Sequence, residues 1–189
     1  GVRQRGERSL SVMGRFGDRA ALPPFLRASP QRAVWLALNV LPAIVAASVI
    51  SVFQDTIEKV VALAVLMPIV ASMGGIAGTQ SLTVLIRAMA MGQINDRTEI
   101  WLVRREILVS ALNGLIWAFV MALVTTYWFD DSTLGLIIAF AIIVNLLTAG
   151  IAGASLPLLL ERRKIDPALA GGVILTTVTD GAGLWACLG

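Results

Sequence analysis

Residues 134–160 read "LGLIIAFAIIVNLLTAGIAGASLPLLL", a run of 27 residues without a charge, stopped by "ERRK" at 161–164. As a helix it is about 40 Å long, more than the ~30 Å hydrocarbon core of a bilayer. No soluble core needs such an element, so the run reads as a membrane span. The composition agrees: of 189 residues, 57% are hydrophobic and 14% charged, and mean hydropathy is +0.83, outside the range of soluble domains.

On its N-terminal side, "DDST" (130–133) and the aromatic cluster "YWF" (127–129) mark a headgroup boundary closing an apolar run over about 107–129. On its C-terminal side, Asp166-Pro167 signals the start of a helix over 167–189. Upstream, 34–53 ("VWLALNVLPAIVAASVISVF") and 60–86 supply two more spans, and the short "QDTIEK" between them makes a hairpin. The expected fold is therefore all-α, with five transmembrane helices over 34–189. A polar connection from Arg87 to Glu106 separates the second span from the third. Residues 1–33 hold seven Arg and the breaker pair Pro23-Pro24, and read as a basic juxtamembrane segment outside the bilayer or along its surface. The chain lacks an initiator Met and stops inside an apolar run, so it is expected to be a piece of a longer protein.

The second span contains Pro68 and then "SMGGIAGTQS" (72–81), whose Gly74, Gly75 and Gly78 predict a broken or closely approached helix. "GIAGTQSL" from Gly75 echoes "GIAGASLP" from Gly150, as a parallel repeat or as a chance match of two Gly- and Ala-rich segments. Basic residues set the orientation. With the N-terminal arm in the cytoplasm, five spans leave only Lys59 of the 15 Lys and Arg outside, and the C-terminus is external. External loops then carry Asp55, Glu58, Asp130 and Asp131, either a cation-attracting mouth or ordinary solvated charges.

Histidine is absent and Cys187 is the lone cysteine, which removes Cys/His metal sites, Ser-His-Asp triads and disulfide frameworks. No second intramembrane Asp completes a protease pair, and no G-x-x-x-x-G-K-[ST] phosphate loop is present. Enzymatic chemistry and nucleic-acid binding are not expected. The one conspicuous polar group is Asp180, in "TTVTDGAGLW" (176–185), about 20 Å into the last helix. A carboxylate at that depth costs roughly 2.5–3.5 kcal/mol and needs a partner. No Lys or Arg lies inside any span, so the candidates are a proton, polar side chains or a passing cation.

Gly172, Thr176, Asp180 and Gly183 form a stripe with little bulk, suited to an approaching ion or to plain helix packing. Asn39, Gln80, Asn113 and Asn145, with Thr79, Thr83, Thr148, Thr176, Thr177 and Thr179, add amides and hydroxyls in several spans. Each alone suits an interhelical hydrogen bond; together they suit a wet lining. Only oxygen and amide donors are offered, which fits hard cations. Mg²⁺ keeps several waters and needs only one or two carboxylates, while Ca²⁺, Mn²⁺, Co²⁺ and Na⁺ stay open.

The segment 41–94, with "DPALAGG" (166–172) and "TTVTD" (176–180) after a charged loop, resembles the membrane domain of the MgtE family of magnesium channels. The likeness runs from about residue 33 to the end, in the family's order and helix count. It implies a homodimer in the inner (plasma) membrane with a central pore built from the second and fifth helices of both copies, and Mg²⁺ as the transported ion. Asp180 falls at the family's pore aspartate, Thr176 where a backbone carbonyl helps hold the ion, and Gly172 where relatives can present Asn. Ile76, Thr79, Gln80, Asn145, Thr177 and Gly183 are expected to line the pore, with Ile76 standing where the family's "GGN" has Asn. The family's cytoplasmic sensing module, an acidic domain with a CBS pair, has no counterpart in these residues. The alternative expectation is a secondary transporter coupling divalent cations to H⁺ or Na⁺, and a further one a non-conducting scaffold whose polar residues only join helices.

Overall fold

In the computed structural model, residues 25–94 and 96–189 are described, apart from the side chains of 25–32, 35, 59, 96, 97 and 169. Most of the basic segment at 1–33 therefore lies outside the described residues, as do the side chains of Trp35, Lys59 and Arg97. Six helices follow one another: α1 (Phe25–Val52), α2 (Gln54–Lys59), α3 (Val61–Ala90), α4 (Asp96–Phe129), α5 (Ser132–Arg162) and α6 (Pro167–Leu188). Among the described residues there is no strand. Four helices are long and apolar enough to cross a membrane, namely α3, α4 from Thr98, α5, and α6 from Ala170; α1 adds a shorter apolar stretch, Leu36–Val52.

The run that opened the reading, α5, is the hub. Helices α3, α4 and α6 all pack on it, and 50% of its apolar window is buried against 17% for α4, whose outer surface is left for lipid. One apolar cluster joins Leu66 and Val70 of α3, Ile138, Ile142 and Leu146 of α5, and Leu184 and Leu188 of α6. A smaller one joins Leu85 and Ala88 of α3, Leu102 of α4, and Ala154 and Leu158 of α5 at the other end. Between them lies a waist of small and polar residues where the backbones come closest. A Cβ on Gly153 would stand 2.5 Å from the Gly78 carbonyl oxygen, and one on Gly78 would stand 2.8 Å from Leu175. The two echoed "GIAG" segments, 75–78 and 150–153, thus press against each other.

Several expectations change. Helix α3 is continuous through Pro68, which is exposed, so Pro68 and the glycines do not break it; Gly74 and Gly78 serve close approach instead. The polar connection shrinks to 91–95, because α4 begins at Asp96 and an ion pair from Arg162 to Glu99 at 2.8 Å ties its first turns to the end of α5. Helix α3 stops at a turn in which Gly92, at φ +67°, takes the left-handed conformation that glycine favours. Asp131 is spent on capping α5, accepting from Thr133 N (2.8 Å) and Leu134 N (3.2 Å), and Asp166 caps α6 ahead of Pro167. Helix α1 runs without interruption through the boundary expected at 33/34. Its far end meets α6 through an edge-on contact of Phe53 with Trp185.

Candidate functional site

Asp180 sits near the middle of the apolar stretch Ala170–Leu188. It is half-buried and makes no hydrogen bond or ion pair with any described residue. Thr176 and Gly172, one and two turns before it, share its face of α6 and are likewise half-buried. Nothing lies within 4 Å of where a Cβ on Gly172 would stand, and the same holds for Gly75 and Gly181. These glycines border space that the described residues leave open.

Gly183, the fourth member of the expected stripe, is turned elsewhere. It is buried, and a Cβ there would come 2.7 Å from Nδ2 of Asn145. Asn145 also fills the space beside Gly74 and donates from Nδ2 to the Val70 carbonyl at 2.6 Å, while its Oδ1 has no partner among the described residues. This amide, 1% exposed, joins α3, α5 and α6 from inside rather than from an open face.

Helix α3 turns Ser72, Ile76, Thr79, Gln80, Thr83 and Arg87 outward along one exposed face. A lipid-facing helix would be apolar there, and only Ile76, 61% exposed, conforms. Helices α3 and α6 run antiparallel, with Gly78 against Leu175 and Leu82 against Gly171, so Asp180 falls level with Met73 and Thr176 with Ala77, within a turn of the exposed Ser72, Ile76 and Thr79. They do not share a side within one chain, because Asp180 lies across α6 from Gly171 and Leu175, the residues that meet α3. Asn113 is also separate, exposed on α4.

The hydroxyls follow one rule. Thr79 and Thr83 on α3, and Thr176, Thr177 and Thr179 on α6, each donate to a carbonyl of their own helix, at 2.7–3.2 Å. With the proton spent on the backbone, what such a hydroxyl offers its surroundings is lone pairs. Thr176 and Thr177, half-buried within one turn of Asp180, thereby present acceptors beside the carboxylate, of the kind the donating waters of a hydrated cation require. The donor set fits a hydrated hard cation and offers nothing to thiolate-seeking metals.

One polar residue escaped the sequence reading. Glu106, taken there as the end of a loop, lies inside helix α4 at 6% exposure and accepts from Ser81 Oγ of α3 at 2.9 Å. Ser110, one turn on, is buried against Gly150 of α5. The signal was present in the i, i+4 spacing of Glu106 and Ser110 at the head of an apolar run, which puts both on one face.

Comparison with known proteins follows this geometry. The family model MgtE, described as a divalent cation transporter, matches residues 67–189. Magnesium transporter MgtE of Bacillus subtilis is 35% identical over 153 residues, covering 81% of this chain and 34% of the relative. The proteins of the same name from Thermus thermophilus and Enterococcus faecalis are 32% and 30% identical, covering 81% and 82% of this chain and again 34% of each relative. The chain thus spans about a third of the length of the curated relatives it matches. With most of its helices inside the matched region and its membrane-spanning character plain from the fold, this chain belongs to the MgtE family.

Proposed function

We propose that the chain forms the membrane part of a magnesium channel, in which two copies enclose a central pore through which hydrated Mg²⁺ passes. The observation that carries this reading is Asp180, a carboxylate without a partner among the described residues, at mid-depth of a membrane helix. The relatives' name supplies the ion, and the acceptor-rich threonines supply a surface suited to its waters. In this reading α1 is the first of five spans. The six basic residues Arg87, Arg104, Arg105, Arg162, Arg163 and Lys164 face the cytoplasm of the inner membrane. The two Asp180 carboxylates meet one ion between the copies, with Gly172 and Thr176 beside them and Thr177 near by. The α3 face bearing Ile76, Thr79 and Gln80 contributes from the neighbouring helix at the level of Val173 to Thr177, with Ile76 as its apolar element.

The mechanism needs no covalent step. A divalent ion gains about 4.6 kcal/mol per 100 mV of inside-negative potential, twice the value for a single charge. That gain drives the ion inward, and a hydrated ion beside Asp180 relieves the carboxylate of standing unpaired in the slab. Liposome flux measurements test the proposal. Asp180→Ala and Asp180→Asn are expected to lower Mg²⁺ uptake at least tenfold while leaving the elution position of the purified protein unchanged. Uptake equal to wild type in either variant overturns it. Uptake that requires a proton or Na⁺ gradient would instead establish a coupled carrier.

A further inference from the structure

In the waist between α3, α5 and α6 an acceptor lacks a donor and a donor is poorly placed. Oδ1 of Asn145 has no hydrogen-bond partner among the described residues, in an amide only 1% exposed. A buried acceptor left in this way is costly. Thr179, fully buried, holds the weakest bond of the nearby hydroxyls. Thr79, Thr83, Thr148, Thr176 and Thr177 each donate to the carbonyl four residues back at 2.7–2.9 Å, whereas Thr179 donates three back, to Thr176, at 3.2 Å.

Placement brings the two together. Leu175, Thr179 and Gly183 form an inward ridge of α6, all three buried. Leu175 meets Gly78, and Gly183 meets the Asn145 amide, whose Oδ1 lies 3.3 Å from a Cβ built there. The antiparallel register sets Thr179 between those contacts, opposite Gly74, and Asn145 is the side chain that fills the space beside Gly74. Hydroxyl and amide therefore occupy one sealed seam at the level of Asp180.

The carbonyl of Thr176 has two lone pairs. One takes the backbone N–H of Asp180, four residues on in a continuous helix, and the other takes the Thr179 hydroxyl. While both are filled, this oxygen, one turn from the Asp180 carboxylate, has nothing to offer the waters of a cation held there. Moving the hydroxyl to Asn145 Oδ1 releases a lone pair toward the ion and satisfies the orphan in the same step.

We infer that Thr179 is a positioning residue of the ion site, its hydroxyl passing from the Thr176 carbonyl to Asn145 Oδ1 when a hydrated cation stands at Asp180. The inference rests on the proposed role of Asp180 as the residue that meets the ion. Uptake into liposomes as a function of Mg²⁺ concentration tests it. Asn145→Leu removes the second acceptor, so a buried hydroxyl goes unpaired whenever the carbonyl turns to the ion. The half-saturating concentration is expected to rise on the order of tenfold. Adding Thr179→Val deletes the hydroxyl and should return it to within about threefold of wild type. Adding Thr179→Ser instead keeps the hydroxyl and should leave the concentration raised. The Nδ2 bond to Val70 is lost in all three proteins, so the differences between them report the hydroxyl.

Equal half-saturation in Asn145→Leu and Asn145→Leu/Thr179→Val overturns the inference, as does recovery with Thr179→Ser. If the Leu variants lose their helical circular dichroism, the isotope-labelled side-chain carbonyl of Asn145 is read by solid-state NMR with Asn145 intact. Its resonance should move on saturation with Mg²⁺, as a carbonyl gaining a hydrogen bond does, and stay in place in Thr179→Val. An unmoved resonance in the wild type, or an equal movement in Thr179→Val, overturns the inference. Wild-type uptake by Asp180→Asn overturns the pore reading itself, which a hydroxyl that fails to move leaves standing.

Discussion

Asn145 occupies space that side chains at Gly74 and Gly183 would need, so three helices are fitted around a single amide. Gly183→Ala should therefore destabilise the fold by about 1–3 kcal/mol, the usual cost of overpacking. Combined with Asn145→Ala, the same change should cost less than the two single changes together, because the clash is gone; thermal unfolding in detergent of the four proteins measures the coupling. Asp180 stood out in the sequence because an acid inside an apolar run is costly there, and the fold leaves it without a partner among the described residues. Glu106 did not, since an acid next to Arg104 and Arg105 reads as loop until the helix is seen to start ten residues earlier. Asn145 and Gly183 were legible as polar and small, but which way each turns depends on the helix across from it.

At the scale of elements, hydropathy placed the cores of α3, α5 and α6 within a few residues of their observed bounds, because burial in lipid demands length and little else. The ends were less legible. Helix α4 extends through a charged segment that lacks the apolar signal, held by local hydrogen bonds and by Glu99 bridging to Arg162. That pair is exposed on its Arg162 side, so Glu99→Gln should lower stability by less than about 1 kcal/mol, read in the same unfolding assay. A larger loss would mean the bridge holds α4 to α5 more firmly than a surface pair does. Pro68 and the glycines misled toward a break, since a helix supported by neighbours inside a bilayer tolerates residues that would end it in water.

For the whole molecule, the open glycines are the informative feature. Among the described residues nothing stands within 4 Å of where a Cβ on Gly75, Gly172 or Gly181 would sit, yet α3 and α6 are the helices that carry the polar residues. Gly75→Leu adds a side chain where the single chain has room and improves helix propensity, so the melting of an isolated copy should be unchanged or slightly raised. If a second copy packs there, the same variant should shift the purified protein toward monomer and reduce flux, as light scattering and liposome uptake would report. A dimer of unaltered strength would remove Gly75 from the interface.

Helix α4 carries Trp101 near one end and Tyr127 and Trp128 near the other, all widely exposed. The separation of Trp101 and Tyr127 is about 39 Å along the axis, close to the full thickness of a bilayer with its interfaces. Such a pair of anchors works as a gauge of the surrounding lipid, because a thinner membrane can keep both rings at its surfaces only by tipping the helix. Since α4 rests on α5, and α5 wedges its amide between α3 and α6, a tipped gauge strains the seam beside Asp180. If the chain conducts as proposed, transport is expected to vary with acyl chain length even when the headgroups are held constant.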